Sequence, residues 1–210
     1  MTRSPAACLA AESVITIWDY TVAMNSRPLI VGLGGTLREG STAERALRTA
    51  LARAEQLGCD TAVFSATALP TEIYDPNRTD RSDQAKSMVD ALRSADGVII
   101  ATPAYHGSLS GLVKNALDYI EDLRSDERVY LQNRAVGSIV CADGPQAMGA
   151  TVAALRAIVH SLRGWPTPYA ATINTRSRPF GAEGQPADPA AIQACETVAD
   201  EVVLFARRGS

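Results

Sequence analysis

The amino-acid sequence predicts one three-layer α/β domain, a five-stranded parallel sheet covered by helices on both faces. Three observations carry this. Short apolar runs alternate with amphipathic helical stretches from Pro28 almost to the C-terminus. The loops between them are short, so consecutive strands need helical crossovers and lie parallel. The runs are apolar on consecutive residues, the pattern of strands buried on both faces. A chain of 210 residues with 46% hydrophobic content can fill one such core.

The elements follow in order. "LIVGLG" (29–34) is a short apolar run ending in glycine. "STAERALRTALARAEQLG" (41–58) has apolar residues at helical spacing, a Ser/Thr start and a glycine stop. "TAVFSA" (61–66) reads as a strand, and "ALPTEIYDPNRTD" (68–80), with two prolines, as a loop. Ser82 caps a helix over 82–95, and "GVIIATP" (97–103) is a strand that Pro103 is expected to stop. "LSGLVKNALDYIEDL" (109–123) is amphipathic, with Leu112, Ala116, Leu117 and Ile120 on one face. A strand over 134–142, a helix over 146–164 and a fifth strand over 168–174 come next. A polar, turn-rich segment (175–189) precedes a closing helix (190–207).

The N-terminal stretch stands apart. Its apolar runs are broken by Glu12 and Asp19, and a single arginine makes a thin positive region, unlike a secretory signal. Residues 1–27 are therefore expected to form an extension outside the core, or to include an upstream mis-start before Met24, leaving a folded domain over 28–208. No segment reaches the roughly 18 apolar residues of a membrane helix. A net charge of −3 and scattered basic residues, almost all arginine, offer no footprint for nucleic acid or an anionic membrane. Cys8, Cys59, Cys141 and Cys195 lie far apart with no CxxC pair, so neither a zinc site nor a disulfide framework is expected. They read as small buried hydrophobes in a reducing, cytoplasmic setting.

In a sheet of this kind ligands sit beyond the carboxyl ends of the strands. That singles out the loops 34–42, 67–80, 102–110 and 141–147. The first, within "VGLGGTLREGST" (31–42), is a glycine turn running into a helix start. Such a turn suits an anion, because the first amides of a helix have no internal partner and its dipole is positive there. A dinucleotide pattern fails: Leu37 stands where the third glycine belongs, and Phe64–Ser65–Ala66 offers no acid to a ribose. A triphosphate loop fails as well, because Gly35, Gly40 and Thr42 are correctly spaced but the lysine position is Ser41. What remains is Thr36, Ser41 and Thr42 with one guanidinium, Arg38. Hydroxyls, amides and one cation suit a phosphate monoester without metal. The bland alternative is a turn that only packs strand against helix.

The loop in "TPAYHGSLSGLVKNALDYI" (102–120) carries Pro103, Tyr105, Gly107 and Ser108. Gly107 allows close approach of backbone to a flat ligand, and Tyr105 could lie along an aromatic ring. Together "GTLREGS" (35–41) and "TPAYHGSLSGLVKNALD" (102–118) resemble the NAD(P)H-dependent FMN reductase family, a branch of the flavodoxin-like fold that includes quinone, azo-dye and chromate reductases. The resemblance covers residues 29 to about 175. It implies a flavodoxin-like domain that transfers hydride from NADPH or NADH to FMN, either releasing reduced flavin to a separate monooxygenase or passing electrons to a small acceptor. It further implies a homodimer or homotetramer. Thr36, Arg38, Ser41 and Thr42 would hold the FMN phosphate. Pro103, Ala104, Tyr105, His106 and Gly107 would line the ribityl chain and isoalloxazine, and Asp143, Gly144 and Gln146 would flank the ring edge. Where the family commonly has a phosphate-binding asparagine this chain has Ala43, which removes one hydrogen bond.

Other side chains read more plainly. Lys114 and Asp118 are spaced to pair on a helix. His106 reads as polar lining, His160 as structural, Cys141 as a buried hydrophobe, and Trp165 as core or subunit contact. Arg78 and Arg81 are candidates for a nicotinamide 2′-phosphate, against the plainer reading of solvated loop cations. A non-enzymatic flavodoxin-like electron carrier is the alternative class, and Arg38 with the near-neutral charge speaks against it.

Overall fold

The computed structural model describes residues 27–181 and 188–208. The expected extension, Arg27 excepted, lies outside the described residues, as do Cys8 and part of the 175–189 segment. Arg27 itself is tied to the sheet: its Nη2 donates to the Cys59 carbonyl (3.0 Å) and its Nε pairs with Asp60 (2.9 Å).

Parallel strands run in the order β2 (Asp60–Phe64), β1 (Leu29–Gly34), β3 (Gly97–Tyr105), β5 (Ala135–Ala142) and β6 (Trp165–Asn174). A two-residue β4 (Ser108–Leu109) pairs antiparallel with the end of β3 only. The five-stranded parallel sheet is thus as the sequence predicts, with β4 an added hairpin arm. Helices α1 (Thr42–Gln56) and α5 (Pro189–Ala206) cover one face, packing against Ile30, Ile99, Ile139 and Ala171. The opposite face carries α2 (Asp83–Ser94), α3 (Gly111–Asp118) and α4 (Pro145–Ser161), over Val31, Leu33, Val98, Ile100 and Val136. Adjacent β3 residues face opposite layers, the period-two consequence of a strand buried on both sides.

Three boundaries differ from the sequence expectation. Pro103 does not stop β3. The strand β1 ends opposite Ala101, so no ladder on that side makes a demand on position 103, and from Ala104 onward β3 pairs with its own return strand. The stretch expected as one helix over 109–123 is α3 followed by a 3-10 helix over Tyr119–Leu123, with the buried Tyr119 hydroxyl donating to the Glu72 carbonyl (3.2 Å). And β6 begins at Trp165, not 168. Its prolines are tolerated because β6 is an edge strand, and its register against β5 shifts between Val136 and Ser138. There Arg156 Nη2 donates to the carbonyls of Thr167 (3.1 Å) and Pro168 (2.6 Å). Trp165 is accordingly not core: it is 56% exposed and leans on Phe205, ring centroids 6.4 Å apart.

One charge is buried outright. Arg134, fully enclosed just before β5, donates to three carbonyls, Ala95 (2.8 Å), Tyr130 (2.7 Å) and Arg93 (2.7 Å). Two of these belong to the end of α2, where orphan carbonyls and the negative dipole end suit a cation. Burial pulls its pKa down to about 10, so it remains protonated at neutral pH.

Candidate functional site

The strand order changes direction between β1 and β3, and the crevice sits above their carboxyl ends. Three loops converge there: 35–41 after β1, the tip of the β3–β4 hairpin, and 142–144 after β5.

Close packing brings the first two together. A Cβ on Gly35 would lie 2.7 Å from Val113 Cγ2, 2.9 Å from Pro103 Cδ and 3.0 Å from the Ala101 carbonyl oxygen. Only glycine lets the first loop descend onto β3 and α3. Ser110, buried at the start of α3, fastens the approach: its Oγ donates to the Gly35 carbonyl (3.0 Å), and its amide donates to Thr102 Oγ1 (3.1 Å). The hairpin turns on His106 (φ 54°) and Gly107 (φ 83°), both left-handed, as a two-residue hairpin loop of this kind requires. That turn presents Tyr105 and His106 to the crevice.

The result is a cavity of about 620 Å³, within the usual range for small-molecule sites. Thr36, Arg38, Ser41, Thr42, Pro103, Ala104, Tyr105, His106 and Asp143 line it. Gly107, Gly144 and Gln146 do not: Gly107 is spent on the turn, Gly144 is the N-cap of α4, and Gln146 is exposed in that helix's first turn. The cavity also takes in Ala43, Cys141, Ala142 and Thr175. Thr175 was missed because the polar 175–189 segment reads as a turn, although the carboxyl-end rule applies to the fifth strand as much as to the others. Its hydroxyl donates to Asp143, whose carboxylate also faces Arg176 (3.7 Å).

The floor of the cavity offers groups that could hold an anion. Ser41 is the N-cap of α1, its Oγ accepting the Glu44 amide (3.3 Å). Helix geometry leaves the amides of Thr42 and Ala43 without intrahelical partners. Arg38 is exposed and has no carboxylate partner among the described residues. The Thr36 hydroxyl is in part committed, donating to the Arg38 carbonyl (3.0 Å). Cys141 is 2% exposed, and burial pushes its thiol up to about 12, which makes it an inert wall and not a thiolate.

The cations of the 67–81 loop already pair with carboxylates. Arg81 holds both oxygens of Asp122 (2.8 Å each) and stacks over Tyr74, 4.7 Å from the ring centroid. Arg78 pairs with Asp80 (2.9 Å). Asn115 pins this loop to α3 by accepting the Tyr74 amide (2.9 Å) and donating to the carbonyls of Pro70 (3.1 Å) and Glu72 (2.8 Å). Lys114 and Asp118 form the expected i,i+4 pair, and His160 lies exposed near the end of α4. Among the described residues no group of three metal-ligating side chains occurs, and no helix is long and apolar enough to cross a membrane.

The chain resembles several known proteins. An FMN-dependent NADPH-azoreductase of Staphylococcus haemolyticus is 35% identical over 83 residues, 40% of each chain. An NADPH azoreductase of Bacillus sp. (strain OY1-2) is 39% identical over 49 residues, 23% of this chain and 28% of the relative. These matches thus span less than half the length of the relatives. Among solved structures, FerB, a flavoenzyme NAD(P)H:(acceptor) oxidoreductase from Paracoccus denitrificans, superposes with a TM-score of 0.68 at 20% identity, over 87% of this chain and 98% of that one. An apo NADH:FMN oxidoreductase (EMOB) gives 0.63 at 23% identity, over 84% and 89%. At such identities the structures speak for the flavodoxin-like fold alone. The family described as NADPH-dependent FMN reductase matches residues 28–176, which include both loops of the cavity floor and the β3–β4 hairpin, and the chain belongs to that family.

Proposed function

We propose that this protein is an NAD(P)H-dependent FMN reductase, working through the single domain of residues 28–208. The observation that carries the reading is the crevice at the β1/β3 switch point, where the start of α1 and Arg38, without a carboxylate partner among the described residues, face a cavity of about 620 Å³. The residues fit the cofactor. The amides of Thr42 and Ala43, the hydroxyls of Thr36, Ser41 and Thr42, and Arg38 would hold the phosphate. Pro103, Ala104, Tyr105 and His106 would lie along the ring system, with Gly107 setting the turn. Asp143 would stand at its edge beside Thr175, with Gly144 and Gln146 behind it. Ala43 contributes its amide but no side-chain bond. Bound FMN would supply the two-electron chemistry, and the chain supplies position and a positive floor. With Arg78 and Arg81 committed elsewhere, discrimination between NADPH and NADH would rest on cations nearer the cavity.

A second reading, a quinone or azo-compound reductase that retains its FMN, is favoured by the azoreductases among its relatives. Either form would work as a homodimer or homotetramer. The apolar groove between α3 and α4, lined by Leu117, Ala157, Ile158 and Leu162, is a surface a second copy would cover. Passing reduced flavin to a monooxygenase belongs to the first reading only. A reducing cytoplasm suits the buried free thiols of Cys59, Cys141 and Cys195. Anaerobic addition of NADPH or NADH to the FMN-loaded protein is expected to bleach the flavin absorbance. Persistence of the oxidised spectrum with both donors would refute the enzyme reading. Ping-pong kinetics with a quinone, without flavin loss, would select the second reading.

A further inference from the structure

Behind the anion-facing loop lies a buried carboxylate. Glu44 stands at the third position of α1, only 7% exposed, in the helix turn that faces the cavity. With Ser41 it makes half of a capping box, but its own carboxylate does not return to the cap residue's amide. Instead Oε2 accepts the amide of Gly40 (2.8 Å), which is held at φ 65°. Oε1 accepts Ser65 Oγ (3.2 Å), Arg48 Nε (2.9 Å) and Arg48 Nη2 (2.8 Å). Burial opposes ionisation, yet the hydrogen bonds from Arg48, Gly40 and Ser65 outweigh it and hold the carboxyl below its ordinary value.

Neither Glu44 nor Arg48 lines the candidate site. Both border a separate cavity of about 510 Å³ on the other side of the loop, together with Gly40 and Ser65. A negative charge therefore lies behind the loop that would receive a phosphate dianion, one helix turn from its cap. Alone it would repel that dianion through protein of low dielectric. Arg48 cancels the charge from the side away from the ligand.

We propose that Glu44 and Arg48 form a charge-balanced brace behind the phosphate loop: Glu44 fixes the loop by taking the Gly40 amide, and Arg48 removes the electrostatic penalty, so the pair sets selectivity for the phosphorylated flavin. Both are positioning residues. The inference rests on the flavin-phosphate reading above and extends it to residues that would not touch the ligand.

The test compares dissociation constants for FMN and riboflavin, which differ by the phosphate, in wild type, Arg48→Met, Arg48→Lys, Glu44→Gln and the Arg48→Met/Glu44→Gln double variant. Arg48→Met is expected to weaken FMN binding by roughly threefold to tenfold, with riboflavin unchanged. Arg48→Lys should retain FMN affinity, and adding Glu44→Gln to Arg48→Met should restore it. If FMN and riboflavin affinities shift together, the pair only supports folding and the proposal fails. It also fails if Arg48→Met binds FMN as wild type does; should Arg38→Ala still lose FMN selectively, the flavin reading survives that failure. A wild-type protein that binds FMN no better than riboflavin overturns the phosphate reading and the brace with it.

Discussion

Replacing Gly35 by alanine tests whether close packing, and not loop chemistry alone, builds the site. The new Cβ would meet Val113 Cγ2 at 2.7 Å, Pro103 Cδ at 2.9 Å and the Ala101 oxygen at 3.0 Å. Comfortable contacts are about 3.5–4.0 Å, so the loop must lift by about 1 Å. None of the three neighbours yields easily: Val113 is fully buried and β-branched, and the other two atoms belong to a proline ring and a sheet carbonyl. Overpacking of this kind costs about 1–3 kcal/mol. Loss of the Ser110–Gly35 hydrogen bond adds about 0.5–1.5 kcal/mol. The sum, about 1.5–4.5 kcal/mol, corresponds to a melting-temperature drop of roughly 3–18 °C for a domain of this size. A lift of about 1 Å also takes the amides at the start of α1 out of good hydrogen-bonding range of a phosphate, so FMN affinity should fall at least about tenfold. Thermal unfolding and an FMN titration on the same variant read both effects. A variant that melts within about 2 °C of wild type and binds FMN normally would refute the packing argument.

Other perturbations separate binding from stability. Arg38→Ala should weaken FMN by about 1–3 kcal/mol, as for a charge-assisted contact, without changing the melting temperature, since Arg38 has no carboxylate partner among the described residues; unchanged affinity would remove it from the phosphate site. Arg134→Met strands three carbonyls, that of Ala95 buried and those of Tyr130 and Arg93 partly so, and should cost about 3 kcal/mol in denaturant unfolding, a wild-type midpoint being the contrary result. Glu44 has a folded-state pKa below its ordinary value of 4.5, so its contribution is complete above that value and is lost as pH falls through the folded one. The stability difference between wild type and Glu44→Gln, measured by urea unfolding, should therefore be constant near neutrality and shrink below about pH 4.5; a difference that grows on acidification would contradict the ionised, hydrogen-bonded Glu44.

Much of the architecture was legible because burial on both faces leaves a strong signal. "LIVGLG" and "GVIIATP" read as strands for that reason, and Ser41, Ser82 and the glycine stop at Gly58 marked helix ends through local capping chemistry. The strand misreadings share a different cause: they depend on where an element sits in the sheet. Pro103 and the prolines of β6 break a strand only if a neighbour demands their missing amide, and sequence does not say which neighbour ends early or which strand is the edge. At the site, loop residues such as Arg38 and Tyr105 could be singled out by spacing and chemistry. Thr175 carries no such motif: only its place after the fifth strand points to it, and its meeting with Asp143 depends on the register of β6 on β5. Arg78 and Arg81 looked available for the same reason in reverse. Arg78's partner Asp80 is local, but Arg81's partner Asp122 is 41 residues away.

Whether the crevice holds FMN for reduction by a nicotinamide is read from the visible spectrum of the purified protein mixed with FMN under anaerobic conditions, before and after NADPH or NADH. A perturbed flavin spectrum is expected on mixing, followed by loss of the oxidised bands once a donor is added. An unperturbed spectrum that neither donor bleaches would contradict it.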